Sequence, residues 1–102
     1  YELSIADNDQ AIALSPTYDA AYMNRGLAYA ALSRYEEAIT SYTAALQINP
    51  SYALAYYNRG NAYFDLEQWD DAIADYERSL EIDPTYENAQ YNLGLALENR
   101  GG

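Results

Sequence analysis

Pro16, Pro50 and Pro84 are the only prolines in the chain, and they stand 34 residues apart. The same step carries Gly26 to Gly60 and Gly94, Tyr18 to Tyr52 and Tyr86, and Asn24 to Asn58 and Asn92. A fixed period of this length marks a stack of short units, each burying its apolar face only against its neighbours. The fold question narrows to the shape of one unit. The functional question narrows to which side chains line the open face of the stack.

Inside one period, apolar and small residues recur at helical spacing. Tyr22, Gly26 and Tyr29 lie at i, i+4 and i+7, while Tyr35, Ala38, Ile39, Tyr42, Ala45 and Leu46 share the face of a second helix. Ser33 and Arg34 form the turn between them. A proline disfavours the α conformation in the residue before it, so second helices stop at Asn49-Pro50 and Asp83-Pro84. Ser51 is the expected cap of the helix that follows. The expected helices span about 1–14, 19–32, 35–48, 53–66, 69–82 and 87–100, a single array over residues 1–102. That is half a unit, two whole units and another half.

Gly26 with Ala38, and Gly60 with Ala72, mark where paired helices approach closely. Glycine inside a helix costs about 1 kcal/mol relative to alanine, so its recurrence in register argues for a packing reason. Enlarging Ala38 to leucine should cost about 1–3 kcal/mol.

Composition removes several function classes. Sixteen acids face five arginines, for a net charge of −11, and there is no lysine, histidine or cysteine. Nucleic acid is not an expected partner, because phosphate binding needs clustered positive charge. A neutral or basic polypeptide suits this surface better. No apolar run approaches the roughly 18 residues of a bilayer span, so no membrane insertion is expected. No basic stretch precedes an apolar one at the start, and the opening Tyr1 suits a fragment or a processed product.

Catalysis without histidine, cysteine or lysine would fall to carboxylates and hydroxyls. The adjacent acids Glu36-Glu37 and Asp70-Asp71 open second helices, where they complement the helix dipole. Asp7-Asn8-Asp9 lacks the glycine and the terminal glutamate of a calcium loop. No enzyme activity, metal or cofactor is expected.

Written from Asp19, one unit carries Tyr22, Gly26, Tyr29, Ala38, Tyr42, Ala45 and Pro50. The next, from Ala53, carries Tyr56, Gly60, Tyr63, Ala72, Tyr76 and Pro84, with Ser79 in place of an alanine. This pattern resembles the tetratricopeptide repeat. The resemblance implies an all-α fold, a right-handed α-α superhelix (a solenoid) of antiparallel helix pairs whose first helices line an inner groove. Arg25 and Arg59 replace a leucine usual in that family, and Leu93 restores it. Both arginines fall at the edge of the packed stripe, with Asp75 or Asp7 as expected partners.

The groove positions implied by the resemblance are Ala20, Asn24, Leu27 and Ala31, then Leu54, Asn58, Asn61 and Asp65, then Asn88, Asn92, Leu95 and Asn99. Beside them stand Met23, Tyr57, Phe64 and Tyr91. Asn24, Asn58 and Asn92 form a ladder of amides, each with donors and an acceptor for the backbone of an extended peptide. It is similar to the ladder in the superhelix of O-linked N-acetylglucosamine transferase. Asn61 adds a further amide, while Leu27, Leu54, Tyr57, Phe64, Tyr91 and Leu95 offer apolar anchoring surface. The structural alternative is that the amides bond to neighbouring helices.

The expected function is a non-catalytic interaction module binding a neutral or basic peptide in its concave groove. The second expectation is a self-associating scaffold, a homo-oligomer through exposed terminal helices, disrupted by polar residues at Ile5 or Leu97. Family members that clamp acidic chaperone C-termini use basic groove residues. Here those positions hold Ala20, Met23, Leu54, Tyr57, Asn88 and Tyr91, so an acidic peptide should bind weakly.

Overall fold

The structure, a computed structural model, describes residues 2–101. Tyr1, included in the first expected helix, lies outside the described residues. Six helices follow one another: α1 (Glu2–Leu14), α2 (Asp19–Ala31), α3 (Tyr35–Ile48), α4 (Ala53–Asp65), α5 (Trp69–Ile82) and α6 (Glu87–Gly101). Helices α2 with α3, and α4 with α5, form the tightest pairs, and α1 and α6 pack on the two ends. The result is an all-α right-handed solenoid measuring 44 × 26 × 18 Å.

The turns explain why the helices stop where they do. After α2 and α4, Ser33 and Glu67 each adopt a left-handed backbone with φ of 60°. The chain then folds back on itself. Arg34 N–H donates to Tyr29 C=O and Gln68 N–H to Tyr63 C=O, both at 2.9 Å. This helix ending is ordinarily given to glycine, which has no Cβ to clash.

The proline turns repeat a second pattern. Tyr18, Tyr52 and Tyr86 N–H groups donate to Ser15, Asn49 and Asp83 carbonyls, at 3.0, 3.2 and 3.3 Å. Ser51 does not cap α4: Tyr52 holds that position, without a side-chain cap bond. Instead Ser51 N–H donates to Asn49 Oδ1, as Thr85 N–H does to Asp83 Oδ1. The side chains ahead of Pro50 and Pro84 satisfy their turns locally, so a hydroxyl is not needed at the start of α4 or α6.

Small residues let the paired helices close. Ala38 and Ala72 are fully buried, and Tyr42 and Tyr76 are the largest fully buried side chains. A Cβ added at Gly26 would fall 2.5 Å from the Tyr42 ring, and one at Gly60 would fall 2.8 Å from the Tyr76 ring. Each ring lies across a bare backbone. Gly94 keeps the same register, yet a Cβ there would meet nothing within 4 Å.

Arg25 and Arg59 tie successive second helices together, with the partners exchanged. Arg59 Nε and Nη2 donate to Asp75 of its own unit at 2.8 and 2.7 Å, and Nη1 donates to Thr43 Oγ1 of the preceding helix at 3.2 Å. Arg25 Nε donates to Ser41 Oγ of its own unit at 3.0 Å, and Nη1 to Asp9 of the preceding helix at 2.9 Å. The expected Asp7 partner is thereby corrected to Asp9. In the 34-residue register Asp7 matches Ser41 and Asp75, whereas Asp9 matches Thr43, the place each arginine reaches on the preceding helix.

Candidate functional site

The ladder asparagines sit on the first helices of three successive units, and their surroundings differ. Asn24 is exposed, Asn92 half-buried and Asn58 9% exposed. Asn58 Nδ2 donates to Met23 Sδ at 3.4 Å, and Asn92 Nδ2 donates to the Tyr57 hydroxyl at 3.1 Å. Met23 and Tyr57 occupy the same place in successive units. Where a unit precedes it, the ladder amide therefore donates to that unit's first helix.

Asn58 thus departs from the expectation of an open rung: the long Met23 side chain lies against it, and both are buried. The carbonyl oxygens of Asn58 and Asn92 accept no protein hydrogen bond. No side-chain polar atom among the described residues is both buried and unpartnered. Those two oxygens therefore still reach solvent.

Two clefts open beside the ladder. The first, about 330 Å³, is lined by Ser4, Asn8, Asn24, Leu27 and Ala28. The second, about 260 Å³, is lined by Asn61, Phe64, Asp65, Tyr76, Asn92 and Leu95. They match in register: Asn8 with Tyr76, Asn24 with Asn92 and Leu27 with Leu95 are each 68 residues apart. Six of the ten residues read from the sequence as groove-lining are gathered there.

The other four lie elsewhere. Tyr57 lies tilted against the Tyr86 ring at 4.8 Å between centroids and meets the second cleft's wall from behind, through its bond to Asn92 and its ring 6.0 Å from that of Tyr76. Leu54 is exposed outside both clefts. Tyr91, 69% exposed, lies with Gly94, Leu95 and Glu98 on the open side of α6. Asn58, buried against Met23 except at its carbonyl oxygen, lines neither cleft.

Tyr76 was not among the residues expected to bind. It belongs to a second helix, but its ring crosses over Gly60 and its hydroxyl donates to Asn61 Oδ1 at 2.6 Å. Asn92 Nδ2 reaches the same oxygen at 3.0 Å. A glycine facing an aromatic across the helix pair is the signal that could have found it. Burial raises the Tyr76 hydroxyl well above its ordinary range, so it remains a neutral donor.

Every arginine is engaged within the chain. Arg25 pairs with Asp9, Arg34 with Glu37, Arg59 with Asp75, Arg78 with Glu81 and Arg100 with Asp70. Burial lifts the Asp75 carboxyl even against Arg59, and the hydrogen bond to Asp75 raises the Arg59 guanidinium in turn. Asp65 has no cationic partner, and partial burial raises its carboxyl above the ordinary range. Among the described residues no acidic cluster has metal-binding geometry, and no helix is long and apolar enough to cross a membrane.

Stacked helix pairs that present a groove on their first helices define a helical-repeat module. The TPR repeat family model matches residues 28–66 and 60–101, and the chain belongs to that family. Among solved structures, the first TPR of Spaghetti (RPAP3) bound to an HSP90 peptide, SRMEEVD, superposes with a TM-score of 0.94. It is 30% identical over 96% of this chain and 78% of that one. The first TPR domain of human RPAP3 gives a TM-score of 0.93 at 30% identity, covering 95% of this chain and 76% of that one. The MamA protein gives 0.91 at 32% identity, over 95% of this chain but only 53% of that one. No curated protein sequence matches this chain significantly.

Proposed function

We propose that this chain binds an extended, neutral or basic peptide in its concave groove. The observation that carries this reading is the pair of matching open clefts, each with a ladder asparagine on its wall. Asn24 offers its whole amide. Asn58 and Asn92 offer a carbonyl oxygen, which accepts from a peptide N–H irrespective of sequence. Leu27, Phe64 and Leu95 supply apolar surface for side chains between the rungs.

The relative bound to SRMEEVD does not transfer its ligand. That peptide carries adjacent acids, and the positions here that align with a basic clamp are Ala20, Met23, Leu54, Tyr57, Asn88 and Tyr91. With all five arginines engaged elsewhere, nothing in the groove neutralises a carboxylate. Selection from a random peptide library, followed by titration of Asn24→Ala and Leu95→Ala, tests the reading. Weakened binding in both variants supports it, and recovery of only glutamate-rich peptides contradicts it.

A second reading rests on α6. Gly94 faces open space where Gly26 and Gly60 each meet a tyrosine ring, and Tyr91 and Leu97 are exposed on that helix. Docking of another helix there, from a second copy or a partner, would cover this face. Sedimentation of the wild type against Leu97→Asp separates the two readings, because the groove clefts do not include Leu97.

A further inference from the structure

The second cleft differs from the first in one chemically decisive respect. Asp65 lines the second cleft, and no acid lines the first; one unit before Asp65, at the intervening 34-residue step, the chain has Ala31. We infer that the second cleft is a subsite for a cationic side chain, arginine or lysine, of the peptide bound in the groove. This deepens the groove reading and rests on it only for the source of the side chain.

The case is built on what the cleft offers and what it withholds. Asn92 Nδ2 is engaged by Tyr57 and Asn61, and the Tyr76 hydroxyl donates to Asn61 Oδ1. Three donors of the cleft wall are thus turned inward, onto one another. Asp65 and Asn92 Oδ1 remain as acceptors without protein partners, against the single amide nitrogen of Asn61 as a remaining donor. Guanidinium and ammonium groups carry donors only. Such a ligand fits an acceptor-weighted wall, whereas a carboxylate would meet Asp65 directly.

The apolar walls fit the same ligand. Phe64 and Leu95 flank Asp65, and the Phe64 ring is held edge-on by Trp69 at 4.9 Å. Long basic side chains lay their methylene stems along apolar surface and place the charged head at its rim. A volume of about 260 Å³ accommodates one such side chain. No arginine of the chain itself reaches Asp65, since each is paired elsewhere.

The test titrates labelled protein with N-acetyl-arginine amide and with N-acetyl-citrulline amide, its uncharged counterpart, and follows side-chain amide and methyl resonances. The expected result is a saturable shift at Asn61, Asn92 and Leu95 with the arginine probe, at least tenfold weaker with citrulline. Asp65→Asn should abolish that difference while Asn24 and Leu27 stay unshifted throughout. Equal response to both probes, or an arginine response that survives Asp65→Asn, overturns the subsite. Library peptides that bind the groove with no preference for arginine or lysine overturn it too, and leave the groove reading standing. An arginine shift with no peptide bound by the groove has the opposite meaning: the subsite stands and the peptide reading falls.

Discussion

Tyr76 lies across Gly60 so closely that a methyl group on the Gly60 backbone would sit 2.8 Å from its ring. The contact does two things. It brings α4 and α5 together, and it carries the Tyr76 hydroxyl through to Asn61 on the groove side. Gly60→Ala gains about 1 kcal/mol of helix propensity but forces a buried ring to move, at about 1–3 kcal/mol. Gly26→Ala, at 2.5 Å from Tyr42, should lose at least as much. Gly94→Ala meets no atom within 4 Å and should be stabilising by up to about 1 kcal/mol. Urea unfolding of the three variants reads this directly, and a uniform sign across them contradicts it.

The two bridging arginines should not be equally important. Arg59→Met leaves Asp75, with a side chain 6% exposed, as an uncompensated buried charge. That loss is expected at about 3–5 kcal/mol. Arg25→Met releases Asp9, which is 51% exposed and returns to water, so about 1 kcal/mol is expected. Equal losses in chemical denaturation would show that the difference in burial does not matter.

Ser33 and Glu67 hold left-handed backbone without being glycine. That conformation costs a side-chain-bearing residue about 1–2 kcal/mol. Glu67→Gly should therefore stabilise the protein by about 1 kcal/mol after the entropy cost of glycine, visible as a higher midpoint of thermal unfolding. A lower midpoint would mean that the Glu67 side chain makes a contribution outweighing backbone strain.

Asp65 determines a pH effect with a definite sign. Its folded-state carboxyl is raised by burial, so the folded form holds the proton more firmly than the unfolded chain does. The stabilising contribution is complete below the ordinary aspartate value of about 4 and disappears as pH rises through the raised folded value. Asp65→Asn should accordingly be more stable than the wild type at pH 7, with the difference shrinking as pH falls through the raised folded value toward about 4 and constant below it. A variant less stable than the wild type at neutral pH would reverse the assignment.

The repeat period made the fold class legible, because prolines, glycines and tyrosines in strict register leave few alternatives to stacked helix pairs. The site was legible only in part. Asn24, Leu27, Asn61, Phe64, Asn92 and Leu95 line clefts because their helix position aims them there. Asn58 was misread because helix position does not reveal that the long side chain one unit earlier, Met23, packs over it. Tyr76 escaped notice for the converse reason: its helix faces the core, and only its length carries the hydroxyl past Gly60. The Arg25 partner, expected as Asp7, is Asp9 on the same helix, because Asp7 falls in register with Ser41 and Asp75 whereas Asp9 falls with Thr43.

The most direct test of the groove as the binding surface is resonance mapping with a neutral or basic peptide selected from a random library. Saturable shifts concentrated at Asn24, Leu27, Asn61, Phe64, Asn92 and Leu95, lost together in Asn24→Ala with Leu95→Ala, are the expected result. Shifts confined to the open side of α6, around Tyr91, Gly94 and Glu98, would place the partner on that helix and contradict the groove.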